Sequence, residues 1–185
     1  MKPKHLLIIL FILTACSTQK KTIYHYGRFT DERDGHVYKT IKIGKQTWMA
    51  ENLAYIFKSG PKGAESNYYE FGVDLNKICG RLYNFDALLQ GAAPKGWHVP
   101  SDAEWREMED ACPDPITALK IQYGGEYGGG KFIYFGEKAS FYTSTQDGYP
   151  IITRYIDKGD HTIHANKQGI GWQLSVRCVK DADPE

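Results

Sequence analysis

The residue types of a hydrolytic relay occur close together at His98, Ser101 and Asp102. A catalytic serine needs its base and an orienting carboxylate in a linear hydrogen-bonded chain, which neighbours this close in sequence cannot form. Ser101 and Glu104 also have the spacing of a capping box, in which each side chain accepts from the other residue's amide at a helix start. The segment therefore predicts a helix N-terminus, and the sequence offers no convergent catalytic set. We expect no enzyme.

The spacing of the cysteines and histidines does not indicate a metal site. Cys79, Cys112 and Cys178 stand far apart, and no Cys-x-x-Cys or His-x-x-x-His cluster accompanies them. His161 and His164 are three apart in an alternating, strand-like stretch, which directs their side chains to opposite faces. We therefore expect neither a metal nor a cofactor.

Cys16 offers a different chemistry, lipid attachment. It follows a lysine-bearing start and an apolar run over 6–13, which is too short to span a membrane because a spanning helix needs about 20 apolar residues. Such a run with a small-residue exit indicates an export signal that is removed. Leu13-Thr14-Ala15-Cys16 resembles the bacterial lipobox. The resemblance implies cleavage after Ala15, a diacylglycerol on the Cys16 thiol and an acylated amino terminus.

These features predict the organisation of the chain. Residues 1–15 are expected to be a signal peptide, 16–33 a lipidated tether and lead-in, 34–181 the domain and 182–185 a tail. The lipid on Cys16 would hold the protein to the membrane of a bacterial cell envelope. Ser17, in place of an aspartate after this cysteine, resembles sorting to the outer membrane.

Composition indicates one globular domain that does not bind nucleic acid. The 185 residues carry 23 Lys and Arg against 22 Asp and Glu, so no overall positive field would attract phosphates. The chain is rich in aromatic residues, and its 19 Gly and 8 Pro indicate many turns. Both properties predict a loop-rich α+β fold.

Periodicity predicts short elements arranged around two helices. A hairpin is expected over 37–49, followed by irregular surface chain over 57–76. Apolar residues at helical spacing over 82–89 predict the first helix, and the capping box begins the second. Beyond it, hairpins are expected over 131–144 and 151–166, and a closing strand over 173–180. This order indicates an antiparallel α+β domain.

Aromatic residues in loops are the candidate ligand contacts. The tryptophans lie in short strands and at helix starts, where large rings usually belong to the core. Tyrosines among Gly, Pro and polar residues can instead present a ring beside hydrogen-bonding groups. The candidates, in loops 57–76 and 124–130 and near 149, are Tyr68, Tyr69, Tyr127 and Tyr149.

Four blocks of sequence closely resemble one family, the Fibrobacter succinogenes major paralogous domain. The blocks are Trp48-Met49-Ala50-Glu51-Asn52-Leu53, Gly80-Arg81-Leu82-Tyr83-Asn84, Gly96-Trp97-His98-Val99-Pro100-Ser101-Asp102-Ala103-Glu104-Trp105 and Ser175-Val176-Arg177-Cys178-Val179-Lys180-Asp181. The resemblance implies an exported bacterial protein, often a lipoprotein, and implies no molecular function. Within the blocks, we expect Asn52 and Asn84 to bond backbone groups, and Arg81 and Arg177 to pair with nearby carboxylates.

The last two blocks also resemble those of formylglycine-generating enzymes and, more distantly, C-type lectins. This implies a C-type-lectin-like fold, with two helices packed on a small twisted antiparallel sheet and long loops on one side. The oxidation chemistry of the first group relies on a copper-binding pair of cysteines near the terminal block, where this chain has only Cys178. The calcium-binding motifs of the lectins are missing as well.

The resemblance also bears on disulfide bonding. Family members often carry a cysteine just before Pro-x-Gly-Trp that could bond the terminal-strand cysteine, and Ala93 occupies that position here. Cys178 is therefore left with Cys79, with Cys112 or with no partner. We favour a Cys79–Cys178 bond.

Taken together, these features predict a non-enzymatic, envelope-anchored binding domain. Its partner is expected to be a glycan or an envelope protein, contacted through the loop aromatics. A structural or assembly subunit of the envelope without a small ligand is the alternative. A metal-dependent enzyme of the formylglycine-generating type comes third.

Overall fold

The strands of the described residues form two sheets and a separate hairpin. The computed structural model describes residues 22–57, 66–67, 79–146 and 148–182, with backbone alone at 66–67. The strands are β1 Tyr26–Thr30, β2 Val37–Ile43, β3 Gln46–Met49, β4 Ser66–Asn67, β5 Leu82–Tyr83, β6 Trp97–His98, β7 Glu126–Gly128, β8 Lys131–Ile133, β9 Lys138–Tyr142, β10 Ile151–Asp157, β11 His164–Gln168, β12 Leu174–Ser175 and β13 Val179–Lys180. The helices are α1 Phe85–Leu89, α2 Asp102–Ala111 and α3 Pro115–Ala118. The fold is thus mixed α/β, mostly sheet with few short helices.

The first sheet has the strand order β1-β2-β3-β13-β6 and is antiparallel throughout. Its central hairpin, β2 with β3, confirms the one predicted over 37–49. Strand β1 pairs with β2 along its whole length, from Tyr26 opposite Ile41 to Thr30 opposite Val37. The folded part therefore begins before residue 34, where the domain was expected to start.

The second sheet has the order β11-β10-β9-β12-β5-β4, with β9 and β12 parallel and the other pairs antiparallel. The predicted hairpin over 151–166 is confirmed as β10 with β11. The hairpin predicted over 131–144 is wrong, because β8 pairs with β7 instead of β9. Gly129 and Gly130, both at positive φ (59° and 78°), join β7 and β8 in a two-residue turn that suits a tight hairpin.

The second predicted helix is confirmed as α2, and its capping box is complete. The Ser101 hydroxyl accepts from the Glu104 amide, and the Glu104 carboxylate accepts from the Ser101 amide. Trp105, Met108 and Cys112 face the core as predicted. The first helix, α1, is shorter than predicted because Leu82–Tyr83 enters the second sheet as β5.

Buried aromatic rings connect α2 to both sheets. The Trp105 ring lies 4.9 Å from the ring of Trp48 on β3 and 5.4 Å from that of Phe141 on β9. Trp48, Trp97 and Trp105 are buried, as predicted for core tryptophans. The helix therefore covers the space between the two sheets.

The closing strand predicted over 173–180 forms two strands in different sheets. Leu174–Ser175 lies between β9 and β5 in the second sheet, and Val179–Lys180 lies between β3 and β6 in the first. Residues 176–178 cross from one sheet to the other. This crossing places the last sequence block at the centre of the fold.

Candidate functional site

The four family-like blocks meet inside the protein. The Met49 amide donates to the Cys178 carbonyl (2.9 Å), and the Leu53 amide donates to the Val176 carbonyl (2.8 Å). The Asn52 side-chain amide donates to the carbonyl of Cys79 at 2.9 Å. The blocks therefore join the first and last parts of the domain.

A glycine explains how closely the second block approaches the first. Gly80 adopts a positive φ of 70°, and a Cβ there would lie 2.6 Å from the Leu53 carbonyl oxygen and 2.8 Å from Asn52 Cβ. Only glycine fits this position without displacing backbone. The Asn84 side chain, from the same block, accepts from the Ala87 amide and caps α1, as expected of a residue that bonds backbone.

Arg177 is the buried charge of this core. Its guanidinium donates to the Asn52 side-chain oxygen and to the Leu119 carbonyl, and lies 3.3 Å from Gln122 Oε1. The expected carboxylate partner is not found among the described residues, since these acceptors are neutral. Burial lowers the pKa of Arg177 to about 9, with a small opposing effect of Glu51, so the group remains charged at neutral pH.

A candidate binding site on the surface is the groove between α1 and β6. The groove encloses about 360 Å³. Its wall is mostly apolar and is formed by Phe85, Leu88, Leu89, Gly91, Ala93, Trp97, His98, Val99, Thr143, Ser144 and Gln146. Leu89 is 61% exposed although it is a large apolar side chain at the end of α1. A concave apolar surface on a rigid frame is the usual form of a binding site.

Many of the polar groups that line the groove already have partners. The Thr143 hydroxyl donates to the Ile152 carbonyl at 2.8 Å. The Trp97 amide donates to the Pro94 carbonyl at 3.0 Å, and the Ser144 amide donates to the Pro100 carbonyl at 2.9 Å. These groups would have to break a protein hydrogen bond before they could bind a ligand.

His98 forms the polar end of the groove. Its Nδ1 lies 2.6 Å from Asp181 Oδ1, and its Nε2 lies 2.8 Å from Glu104 Oε1. Partial burial opposes a charged ring, but the hydrogen bonds that Glu104 and then Asp181 accept from it prevail and raise the pKa of His98. Ser101 caps α2, and its hydroxyl donates to Glu104 Oε2 instead of to the His98 ring.

The predicted ligand residues lie in different environments. Tyr149 is 70% exposed, next to the start of β10. Tyr127 lies on β7, and its half-buried ring packs 4.8 Å from that of Phe132. Neither residue lines the groove. Tyr68 and Tyr69, like the lipid-attachment residue Cys16, lie outside the described residues.

The favoured disulfide bond is not formed. Cys79, Cys112 and Cys178 are free, buried thiols. The physical reason is their placement in separate apolar clusters: Cys79 packs with Leu82, Cys112 with the α2 core and Cys178 with the core around Trp97. The described residues also contain no group of three or more His, Cys, Asp or Glu side chains placed to hold a metal.

Sequence reasoning missed the groove because three separate segments form it. Phe85 and Leu88 belong to the predicted first helix, and Trp97 was assigned to the core. The one available signal was Leu89, a third large apolar residue in a helix too short to bury all of them. No helix in the described part of the chain is long and apolar enough to cross a membrane.

These features define a mixed α/β domain with short helices, a buried core of sequence blocks and an apolar surface groove. The family model of the Fibrobacter succinogenes major domain matches residues 41–123, and this part of the chain is a domain of that family. The matched residues include the first three sequence blocks and most of the groove. No curated protein and no solved structure shows significant similarity to the chain.

Proposed function

We propose that this protein is a non-enzymatic binding domain, held to a bacterial cell envelope by lipid on Cys16, that binds a protein partner through the α1–β6 groove. The observation that carries the proposal is the apolar groove itself, with Trp97 in its wall and Leu89 exposed at its rim. An exposed apolar side chain beside a concave apolar wall is a characteristic interaction surface. The anchor rests on the lipobox-like segment.

Many of the polar groups in the groove wall are already hydrogen-bonded within the protein. This favours an apolar protein side chain over a sugar as the ligand. A sugar ring carries hydroxyl groups that lose water on binding and need new hydrogen bonds. The Thr143 hydroxyl and both His98 ring nitrogens are already bonded within the protein. The side chains of Ser144 and Gln146 remain at the rim, enough to orient a peptide and too few for a sugar.

A glycan contact at Tyr149 is the second candidate. Its ring is 70% exposed, the exposure expected of an aromatic platform. The mixed sheet-and-helix architecture is also compatible with the C-type-lectin-like fold that the sequence blocks imply, and we propose that fold as the frame that presents both surfaces. A glycan array tests this candidate, since a Tyr149→Ala variant should lose any specific signal.

Crosslinking in cells tests the groove. A photoreactive benzoylphenylalanine at Leu89 should yield a defined adduct with one envelope protein, and the same residue at Val37, exposed on β2, should not. Ala93→Trp, which fills the groove, should abolish the Leu89 adduct. Equal adducts at both positions, or an adduct that survives the filled groove, would contradict this site. Stable homo-oligomers crosslinked at Leu89 would instead favour an assembly subunit.

Cell fractionation tests the anchor separately. The parent protein should sediment with membranes and carry fatty acid on its amino-terminal peptide by mass spectrometry. A Cys16→Ser variant should carry no fatty acid. It should either leave the membrane fraction or retain its uncleaved signal peptide. Identical membrane association of the two proteins, with no acyl group on the parent, would refute lipid anchoring.

A further inference from the structure

His98 lies at the junction of two surface grooves. It forms one end of the apolar α1–β6 groove and also lines a second, polar groove of about 420 Å³ beside β13. Its ring bridges two separate parts of the chain, Glu104 on α2 and Asp181 just after β13. The orientation of this one ring therefore depends on contacts from both sides.

The two contacts require a proton. A neutral imidazole has one N–H donor and one acceptor nitrogen, whereas an imidazolium has two donors. Ionised carboxylates only accept hydrogen bonds. Both short contacts of His98 can therefore form together only when the ring is protonated, and a neutral ring leaves a carboxylate facing a nitrogen lone pair.

Resting on the proposed function, we propose that the proton on His98 regulates the α1–β6 groove: the imidazolium bridges Glu104 and Asp181 and fixes the groove wall, whereas deprotonation releases one of the two contacts, loosens the wall and weakens ligand binding. A ligand that packs against a fixed wall does not have to order it, whereas a loosened wall must be ordered on binding. Protonation and ligand binding can be coupled in this way if the groove wall is more ordered in one protonation state than in the other, without any change of shape.

Positive and negative side chains are equally numerous around the His98 ring. The groups that line the polar groove around His98 are Lys42 and Lys45 from the β2–β3 hairpin, Glu104 and Glu107 from α2, and Lys180 and Asp181 from the β13 segment. Glu107 accepts from Gln46 and contributes no contact to the ring. The two carboxylates in direct contact therefore dominate the response of His98.

Asp181 is the contact that deprotonation releases. Its side chain is 51% exposed, against 29% for Glu104, so water can replace the lost bond more easily there. Glu104 also keeps its bonds from the Ser101 amide (2.7 Å) and hydroxyl (2.8 Å). A neutral His98 thus stays bonded to Glu104 on α2 and releases the Asp181 side chain. The bond from the Asp181 amide to the Gly96 carbonyl then loses the support of the side-chain contact and opens more often.

The direction of the pH effect follows from these contacts. Because Glu104 and Asp181 outweigh the opposing effect of partial burial and raise the pKa of His98, the bridged state holds in mildly acidic solution and persists toward neutrality. Binding in the groove should weaken as the pH rises through that pKa.

Nuclear magnetic resonance on the full chain in lipid nanodiscs tests the inference. The probe is N-acetyl-leucinamide, an uncharged mimic of an apolar side chain whose own charge does not change with pH. Methyl shifts of Leu88 and Leu89 report its binding, and we expect its affinity to fall about fivefold from acidic to alkaline solution, the lower end of common coupling factors. His98→Gln should remove this pH dependence, and His161→Gln, an exposed histidine outside the groove, should keep it.

The outcomes separate the two proposals. Probe-induced shifts at Leu88 with the same affinity at every pH, or a pH dependence that persists in His98→Gln, would overturn the His98 inference and leave the groove in place. No shift at Leu88 or Leu89 at any pH would refute the groove as a binding site. Faster hydrogen exchange at the Asp181 amide above the His98 pKa, in the parent only, would support release of the C-terminal segment.

Discussion

The guanidinium of Arg177 donates a hydrogen bond to the side-chain oxygen of Asn52, and both side chains are buried between the two sheets. Asn52 in turn donates to the Cys79 carbonyl and lies 3.3 Å from the Ser175 hydroxyl. One neutral side chain therefore orients a buried cation and ties the first and last sequence blocks to Cys79, the residue just before the second block.

Loss of Asn52 should be costly. An Asn52→Ala variant leaves the Arg177 cation with fewer acceptors and should lower the free energy of unfolding by about 1.5–3 kcal/mol, the range for hydrogen bonds to charged groups. Urea titration followed by tryptophan fluorescence measures the loss. The matched control is Asn166→Ala on the exposed strand β11, where we expect a change below about 0.5 kcal/mol. Equal effects at the two positions would contradict the role of Asn52.

A second prediction concerns the close approach of β7 to Trp172. A Cβ on Gly128 would lie 2.4 Å from the Trp172 ring, whereas one on Gly171 would meet nothing within 4 Å. Gly128→Ala should therefore destabilise the protein by about 1–3 kcal/mol through overpacking, and Gly171→Ala should have little effect. Thermal unfolding of the pair measures the difference. If Gly128→Ala unfolds at the temperature of the parent, Trp172 does not pack on this strand.

The free cysteines give a third prediction. Cys178 is fully buried and burial raises its pKa to about 12, and burial also raises the pKa of Cys79, so both thiols are protected and unreactive in the native state. Ellman's reagent should label Cys79, Cys112 and Cys178 only after unfolding. A reductant should leave the melting temperature unchanged. A melting temperature that falls with reductant would reveal a disulfide and contradict the free thiols.

The fourth prediction is a pH dependence of stability from His98. Its pKa is raised in the folded state, so its stabilising contribution is complete below the ordinary histidine pKa and is lost as the pH rises through the folded-state value. Because the ring is partly exposed, solvent screening limits the effect to about 1 kcal/mol or less. The difference in unfolding free energy between the parent and His98→Gln, measured from mildly acidic to alkaline pH, should shrink as the pH rises. A constant difference would contradict the double contact.

Local signals in the sequence predicted local structure well. The capping box at Ser101 and the β2–β3 and β10–β11 hairpins depend on neighbouring residues, and all three are confirmed. Strand pairing between distant segments was harder, since β8 and β9 are adjacent in sequence and pair with different partners. Periodicity carries no information about such a choice.

The candidate site shows the same limit. His98 and Trp97 were recognised in a sequence block, but the groove exists only because α1 and the chain after β9 lie against β6. The partner of Arg177 was also predicted wrongly, because a buried guanidinium was expected to need a carboxylate and is held here by neutral acceptors. Neutral acceptors from separate segments leave no pattern in a single sequence.

Strands β12 and β13 occupy interior positions, one in each sheet, although they come last in sequence among the described strands. A ribosome makes the rest of the domain first, and until residues 174–180 emerge β9 has no link to β5 and β3 has none to β6. Truncation of the chain before residue 174 would therefore leave both sheets split. Closure of both sheets thus waits on one short segment, residues 174–180.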